Sequence, residues 1–511
     1  MDRFFNDDRT TRAMKCSALL TMAAMVAVWT AVAHAGSCES FATTSTPQVA
    51  IVLAQTLTTG NFTPPDATQV LQQLPKFCRV VVKLRPTSDS DIGAEVWLPA
   101  NWNTKLLVVG NGGWGGPEDF GAMAAALRRG YAVAATDDGH AQRGGARFAL
   151  GHPQKLIDFA YRAEHEATLE AKALINVFYG RVSSHSYWQG CSGGGREGII
   201  QANRFPDEFD GVIAGDPANI RRNAWAMWLA VRTLSDPAVR IPPSKYPMLH
   251  DAVLAACDAK DGLKDGLIEE PEQCHIDFAA LQCKGEDGPQ CLTAPQVKSA
   301  QTMISPATTP EGLVLFPRLE PGTELRWGRL AGGPAPADLF LDEFRYLVYQ
   351  DPDWDWHSFD LERDAAKAEA IDRNLDVMDP HLAAFAKHGG KLLLYHGWAD
   401  QQVAPGSTIE FYQSVRELSP DLSHAENWLR LFMAPGMAHC AGGEGPDDFD
   451  SLSAMEHWVE QGKAPDRIIA AHRASGQVDR TRPLCPYPQV ARYNGKGSID
   501  EAANFTCRTS E

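Results

Sequence analysis

The sequence predicts a doubly wound α/β sheet that carries a large inserted segment. Two patterns support this. Short apolar runs ending in turn residues alternate with helical periodicities through residues 36–219 and again through 381–511. Between them, from 220 to 380, the alternation gives way to proline, glycine, cysteine and aromatic residues, which predicts a lid domain. Composition agrees with a globular chain: 511 residues, 44% hydrophobic and 22% charged. That balance excludes a disordered chain, a fibre and a multi-span membrane protein. With 47 Lys+Arg against 64 Asp+Glu the formal charge is −17, which repels phosphate backbones, so nucleic acid is not an expected partner.

The first element is a targeting segment. Arg9, Arg12 and Lys15 precede an apolar run over 17–32, and Ala33-His34-Ala35 offers small residues for cleavage. Residues 1–35 therefore read as a signal peptide, with an uncleaved anchor as the alternative because the run is slightly long. After its removal no membrane association is expected, and the mature chain is exported, periplasmic or secreted. Cysteine usage fits an oxidising compartment. Cys16 leaves with the signal and ten cysteines remain, an even number that suggests five disulfides. No CxxC spacing occurs, which argues against zinc. Ala35-Gly36-Ser37 lacks the leading Leu of a lipoprotein site at Cys38.

Strands are expected at 79–84, 92–98, 105–109 and 131–136, the last two running into Gly110-Asn111-Gly112-Gly113 and Asp137-Asp138-Gly139. A helix is expected over 155–179, then a strand at 185–189, a glycine-rich turn, a helix over 195–203 and a strand at 211–214. After the lid the sheet resumes at 391–395 and 428–433, followed by a helix over 451–461 and a disulfide-tied tail.

The turn after residue 189 reads Gly190-Cys191-Ser192-Gly193-Gly194, a G-x-S-x-G between a strand and a helix. A sharp strand-to-helix turn exposes its serine and demands small residues two before and two after it. A serine hydroxyl needs a base, and the base an orienting carboxylate. In such sheets these partners follow in the order Ser, acid, His. Asp400 and His439 each lie just beyond a predicted strand, where sites in open α/β sheets gather. His396 and His457 are rival bases, and Asp210 and Asp216 are rival acids. For the oxyanion, the Gly193 N–H is the expected first donor and Gly113, in the glycine-rich loop 111–116, the second. Cys191 precedes the serine and Cys440 follows the histidine. A bond between them would fasten the base loop beside the nucleophile.

With these residues in place, the sequence resembles the tannase and feruloyl esterase family of α/β-hydrolases, which includes mono(2-hydroxyethyl) terephthalate hydrolase. The marks are Cys191-Ser192, Asp400 and His439-Cys440, and the resemblance spans the mature chain, lid included. It implies the pairs Cys191–Cys440, Cys38–Cys78, Cys257–Cys274, Cys283–Cys291 and Cys485–Cys507, a connectivity that spacing alone leaves open. It also implies a calcium site in the lid, with side chains of Asp258, Asp261 and Asp265 and carbonyls of Leu263 and Leu267. Three carboxylates interleaved with glycine suit a hard cation, although the spacing is not that of an EF-hand. A solvated Asp-Gly turn is the bland alternative. No organic cofactor is expected.

The resemblance implies a serine carboxylic ester hydrolase acting on small-molecule esters of aromatic acids, hydroxycinnamates first, with gallate or terephthalate esters as alternatives. An inactive exported binding module and a peptidase are the other classes. The aromatic run 340–356 is a candidate wall for an aromatic ring, or else lid core. Arg345 is a candidate contact to a substrate carboxylate or phenolic oxygen, or else a structural ion pair.

Overall fold

The computed structural model describes residues 37–509, apart from 44–45, 66, 143–144, 220, 373–374, 376–378 and 419–423. The signal peptide expected over 1–35 lies outside the described residues. Nine strands form one sheet: β1 (Val49–Leu57), β2 (Phe77–Leu84), β3 (Ile92–Pro99), β4 (Lys105–Val109), β5 (Ala132–Thr136), β6 (His185–Cys191), β7 (Gly211–Gly215), β8 (Lys391–Gly397) and β9 (Leu429–Ala434). Their spatial order is β1-β2-β3-β5-β4-β6-β7-β8-β9. From β5 to β9 every pairing is parallel. The β1–β2, β2–β3 and β3–β5 pairings are antiparallel, a direction that the doubly wound reading leaves open for this edge. β1 was not foreseen, since it is half-exposed and lacks a continuous apolar run.

Strand periodicity sorts side chains to two faces. Leu106, Val108, Val212, Leu392 and Leu394 pack into one core, whereas Leu107, Val109, Ile213 and Leu393 pack into the other. Helices Ala163–Tyr179, Gly193–Arg204 and Pro405–Glu417 cover the first face, contributing Leu174, Ile199 and Ile409. Helices Phe120–Arg128 and Ser451–Gln461 cover the second with Met123, Leu127, Met455 and Trp458. The helix expected over 155–179 is interrupted between an α-helical turn at Pro153–Ile157 and the regular helix Ala163–Tyr179. Asp158–Arg162 form a π turn, where the buried Asp158 carboxylate receives the Arg162 guanidinium at 2.6 Å.

Between β7 and β8 the chain leaves the sheet for short helices that build a separate aromatic-rich core, with Trp225, Trp327, Phe340 and Phe344 buried. After β9, two ribbons, Ile468–Ala474 with Gln477–Leu484 and Gln489–Tyr493 with Phe505–Thr509, form the tail. The five cysteine pairs match the connectivity implied by the resemblance: Cys38–Cys78, Cys191–Cys440, Cys257–Cys274, Cys283–Cys291 and Cys485–Cys507. Among the described residues, no helix is long and apolar enough to cross a membrane.

Candidate active site

Ser192 stands between β6 and helix Gly193–Arg204 at φ 61°, ψ −116°, a left-handed conformation that costs an L-residue stability and persists only where its surroundings enforce it. The elbow is enforced by close packing. A Cβ on Gly190 would sit 2.5 Å from the Gly194 carbonyl, and one on Gly194 would sit 2.8 Å from the Asn111 carbonyl oxygen. Both contacts are with backbone, so glycine is required two residues before and two residues after the serine. The Ser192 N–H donates to the Gly215 carbonyl at 2.9 Å, anchoring the elbow to β7.

Asp400 and His439 lie at the carboxyl ends of β8 and β9. Asp400 Oδ2 accepts the His439 Nδ1–H at 2.7 Å, and Oδ1 accepts the N–H groups of Gln402 at 2.6 Å and Val403 at 3.0 Å. Burial acts to raise the Asp400 carboxyl, but His439 and His396 overcome it and hold the group well below the usual carboxylate range. With Nδ1–H committed to Asp400, the His439 Nε2 is left to act as a base. Cys191 and Cys440 bring the two loops together, with Cα atoms 5.9 Å apart. Ser192 and His439 line the same cleft of about 910 Å³.

The rivals are otherwise engaged. Asp210 accepts the Ser186 N–H at 2.7 Å. Asp216 accepts the N–H groups of Gly397 and Cys440. His396 is wholly buried, and neither it nor His457 lines the cleft.

The loop after β4 approaches the elbow closely. The Gly194 N–H donates to the Asn111 carbonyl at 2.6 Å, and the Asn111 N–H donates to the buried Glu197 at 2.9 Å. A Cβ on Gly193 would lie 3.3 Å from the Gly113 nitrogen, so the two expected oxyanion donors are neighbours. Neither amide donates a backbone hydrogen bond among the described residues. The hold of Glu197 on the Asn111 amide was not foreseen, because it depends on a contact between segments 86 residues apart.

Leu339, Phe340, Tyr395 and Phe449 contribute apolar wall to the cleft, and Asp119, Arg129 and Asp450 make one part of the lining polar. Of the aromatic run 340–356, only Phe340 lines the cleft, while Phe344 and Trp354 stack on each other in the lid core. Arg345 does not line the cleft. Its Nη1 faces Asp338 at 3.3 Å and Asp342 at 3.8 Å, an ion pair outside the cleft.

In the lid loop, Asp258 Oδ1 accepts the N–H groups of Asp265 and Gly266, Asp261 Oδ1 accepts that of Leu263, and Asp265 Oδ1 accepts that of Leu267. Asp265 Oδ2 also meets Arg482 in the tail. Burial pushes Asp261 up to about 6, and the carboxylates of Asp265 and Asp258 push the same way. The Leu263 and Leu267 carbonyls accept no hydrogen bond from the described residues. The three carboxylates and two carbonyls offer only oxygen, the ligand chemistry a hard cation takes.

A family model for tannase and feruloyl esterase matches residues 78–324 and 329–508. An uncharacterized esterase of Xanthomonas campestris pv. campestris is 39% identical, covering 96% of this chain and 94% of its own length. A probable feruloyl esterase B-1 of Aspergillus oryzae is 34% identical, covering 84% of each chain. The crystal structure of feruloyl esterase B from Aspergillus oryzae superposes with a TM-score of 0.87 at 33% identity, covering 92% of this chain and 99% of that one. Tannin acyl hydrolase from Aspergillus niger shares the fold at 22% identity and a TM-score of 0.75, covering 91% and 92%.

Proposed function

The chain belongs to the tannase and feruloyl esterase family of carboxylic ester hydrolases, and on that premise we propose that it cleaves esters of aromatic acids, hydroxycinnamates first, through a seryl acyl-enzyme. The observation that carries the mechanism is the 2.7 Å bond from His439 Nδ1 to Asp400, with His439 facing the same cleft as the strained Ser192.

His439 Nε2 takes the Ser192 proton as Oγ attacks the ester carbonyl, and Asp400 stabilises the imidazolium that forms. The oxyanion develops beside the Gly193 and Gly113 amides, donors fixed in place before the reaction. His439 then gives its proton to the departing alcohol. Water repeats the sequence on the acyl-enzyme and releases the acid. Leu339, Phe340, Tyr395 and Phe449 offer apolar surface to the acyl ring, and Asp119, Arg129 and Asp450 offer hydrogen bonds to a hydroxylated alcohol.

Calcium in the lid loop, held by Asp258, Asp261, Asp265 and the Leu263 and Leu267 carbonyls, would supply structural crosslinking and no chemistry at the ester. The five disulfides support export to an oxidising compartment.

The test is a spectrophotometric panel of methyl ferulate, methyl gallate and mono(2-hydroxyethyl) terephthalate with Ser192→Ala as control. Ferulate is expected to lead, and the variant to be inactive. Equal turnover by Ser192→Ala would overturn the nucleophile. A lead for gallate or terephthalate would replace the acyl preference and keep the mechanism.

A further inference from the structure

Behind the nucleophile, base and acid lies a second acid–imidazole pair that the proposed mechanism leaves unused. Asp216 follows β7. Its Oδ1 accepts the Gly397 N–H at 2.8 Å and its Oδ2 accepts the Cys440 N–H at 2.6 Å. Gly397 ends β8, three residues before Asp400, and Cys440 follows His439. One carboxylate thus ties together the loops of the acid and the base, beside the strand end whose Gly215 carbonyl holds the Ser192 N–H.

His396 lies between the two carboxylates. Its Nε2 is 3.1 Å from Asp400 Oδ2, 3.1 Å from the Val403 carbonyl and 3.6 Å from Asp216 Oδ1, while Nδ1 is 2.8 Å from Thr408 Oγ1. Three acceptors face Nε2, so Nε2 carries a proton. The Asp400 oxygen it approaches is the same one that accepts His439 Nδ1–H. Asp216, His396 and Asp400 are each 0% exposed, and two carboxylates in such surroundings are costly unless a cation offsets them.

Resting on the esterase reading above, we propose that Asp216 and His396 are positioning residues: Asp216 holds the base loop, and His396, as a buried imidazolium, offsets one of the two anions beneath His439.

The charge state follows from every group packed around the ring. Asp400 faces it from the loop after β8, Asp216 from the loop after β7 and Thr408 from helix Pro405–Glu417. His439, from the loop after β9, shares the Asp400 oxygen. Arg222, in helix Arg221–Thr233, acts on Asp400 at longer range, and Tyr395 lies near Asp216. Cys191 Sγ of the disulfide sits 3.3 Å from Asp216 Oδ2 and carries no charge. Burial acts to lower the His396 pKa, but Asp216 and Asp400 outweigh it and raise it above the ordinary histidine value.

Two neutral variants separate charge from mere packing. Asp216→Asn removes an anion that favours the His439 imidazolium, so the acid limb of kcat/KM moves to lower pH. His396→Gln keeps an N–H for Asp400 and removes a cation, so the limb moves to higher pH. Shifts of about 0.5 unit or more in opposite directions are expected, with kcat down about 10-fold or more and KM changed less. Limbs that stay in place in both variants would overturn the proposal.

Should either variant fail to fold, the wild-type imidazole ¹⁵N spectrum decides, with the His396 ring assigned through its contact to Thr408, whose Oγ1 lies 2.8 Å from Nδ1. A ring doubly protonated at pH 7 supports the pair, and a neutral ring overturns it. The spectrum stands even if no ester is turned over, so failure of the esterase reading is distinguishable from failure of this one.

Discussion

Cys191 and Cys440, 249 positions apart in sequence, are paired with their Cα atoms 5.9 Å apart, and each is the chain neighbour of a proposed catalytic residue. Closing a loop of that length is worth about 5 kcal/mol by chain entropy, an upper figure that native strain reduces. The functional weight lies in position, because a base displaced by 1 Å costs about 100-fold in rate. Replacing both cysteines with alanine is expected to lower kcat about 10- to 100-fold and to change KM little. Steady-state kinetics on methyl ferulate check this, and an unchanged kcat would remove the positional role.

Gly113 holds φ +61°, and a Cβ there would meet Leu339 Cδ1 at 3.4 Å. Gly113→Ala therefore strains the loop by about 1–2 kcal/mol and moves its amide away from the developing oxyanion. The expected result is a loss of about 100-fold in kcat with a stability change under about 2 kcal/mol. Activity and urea unfolding measured together separate this from general misfolding. A variant as active as wild type would remove Gly113 from the oxyanion site.

Burial pushes Glu320 up to about 7 against the opposing charge of Arg318, which lies 3.0 Å away. In the unfolded chain this carboxyl ionises near pH 4.3. Between those values the unfolded state has released a proton that the folded state keeps, so stability falls as pH rises from about 4.3 to about 7 and then levels. Glu320→Gln is expected to flatten that slope. Urea midpoints at pH 5 and pH 8 test it, and an identical slope in the variant would contradict the assignment.

Chelation is expected to lower Tm by several degrees, with readdition of calcium restoring it, because a ligand bound only by the folded state stabilises that state. Asp261→Asn should abolish the response. Since the loop lies in the lid, kcat/KM at low temperature should hardly change. A Tm indifferent to both chelator and calcium would mean that these oxygens serve the loop alone.

Local pattern made much of this legible. β4 and β5 announced themselves as buried runs ending in turn residues, and the elbow announced itself because its glycines are a steric necessity written within five residues of sequence. The pairing of Asp400 with His439 was legible because chain order and strand ends constrain where an imidazole and a carboxylate can meet. The antiparallel edge was not legible: the apolar pattern of β2 or β3 is the same whichever direction its neighbour runs. β1 was missed because an edge strand with one wet face carries little signal.

Three features were decided in space alone. Arg345 turns to Asp338 and Asp342 because its helical turn packs that way, and nothing in Phe344-Arg345-Tyr346 encodes the direction. Glu197 beneath the oxyanion loop was equally invisible, and Asp216, legible only as a rival acid, gave no sign that it would hold the base loop, since each acts on backbone amides distant in the chain. The residue types that perform chemistry are chosen by their own functional groups, and a sequence displays those. The groups that hold them in place are chosen by which amide or carboxylate the folded chain brings within 3 Å, a distance that exists only once the sheet has assembled.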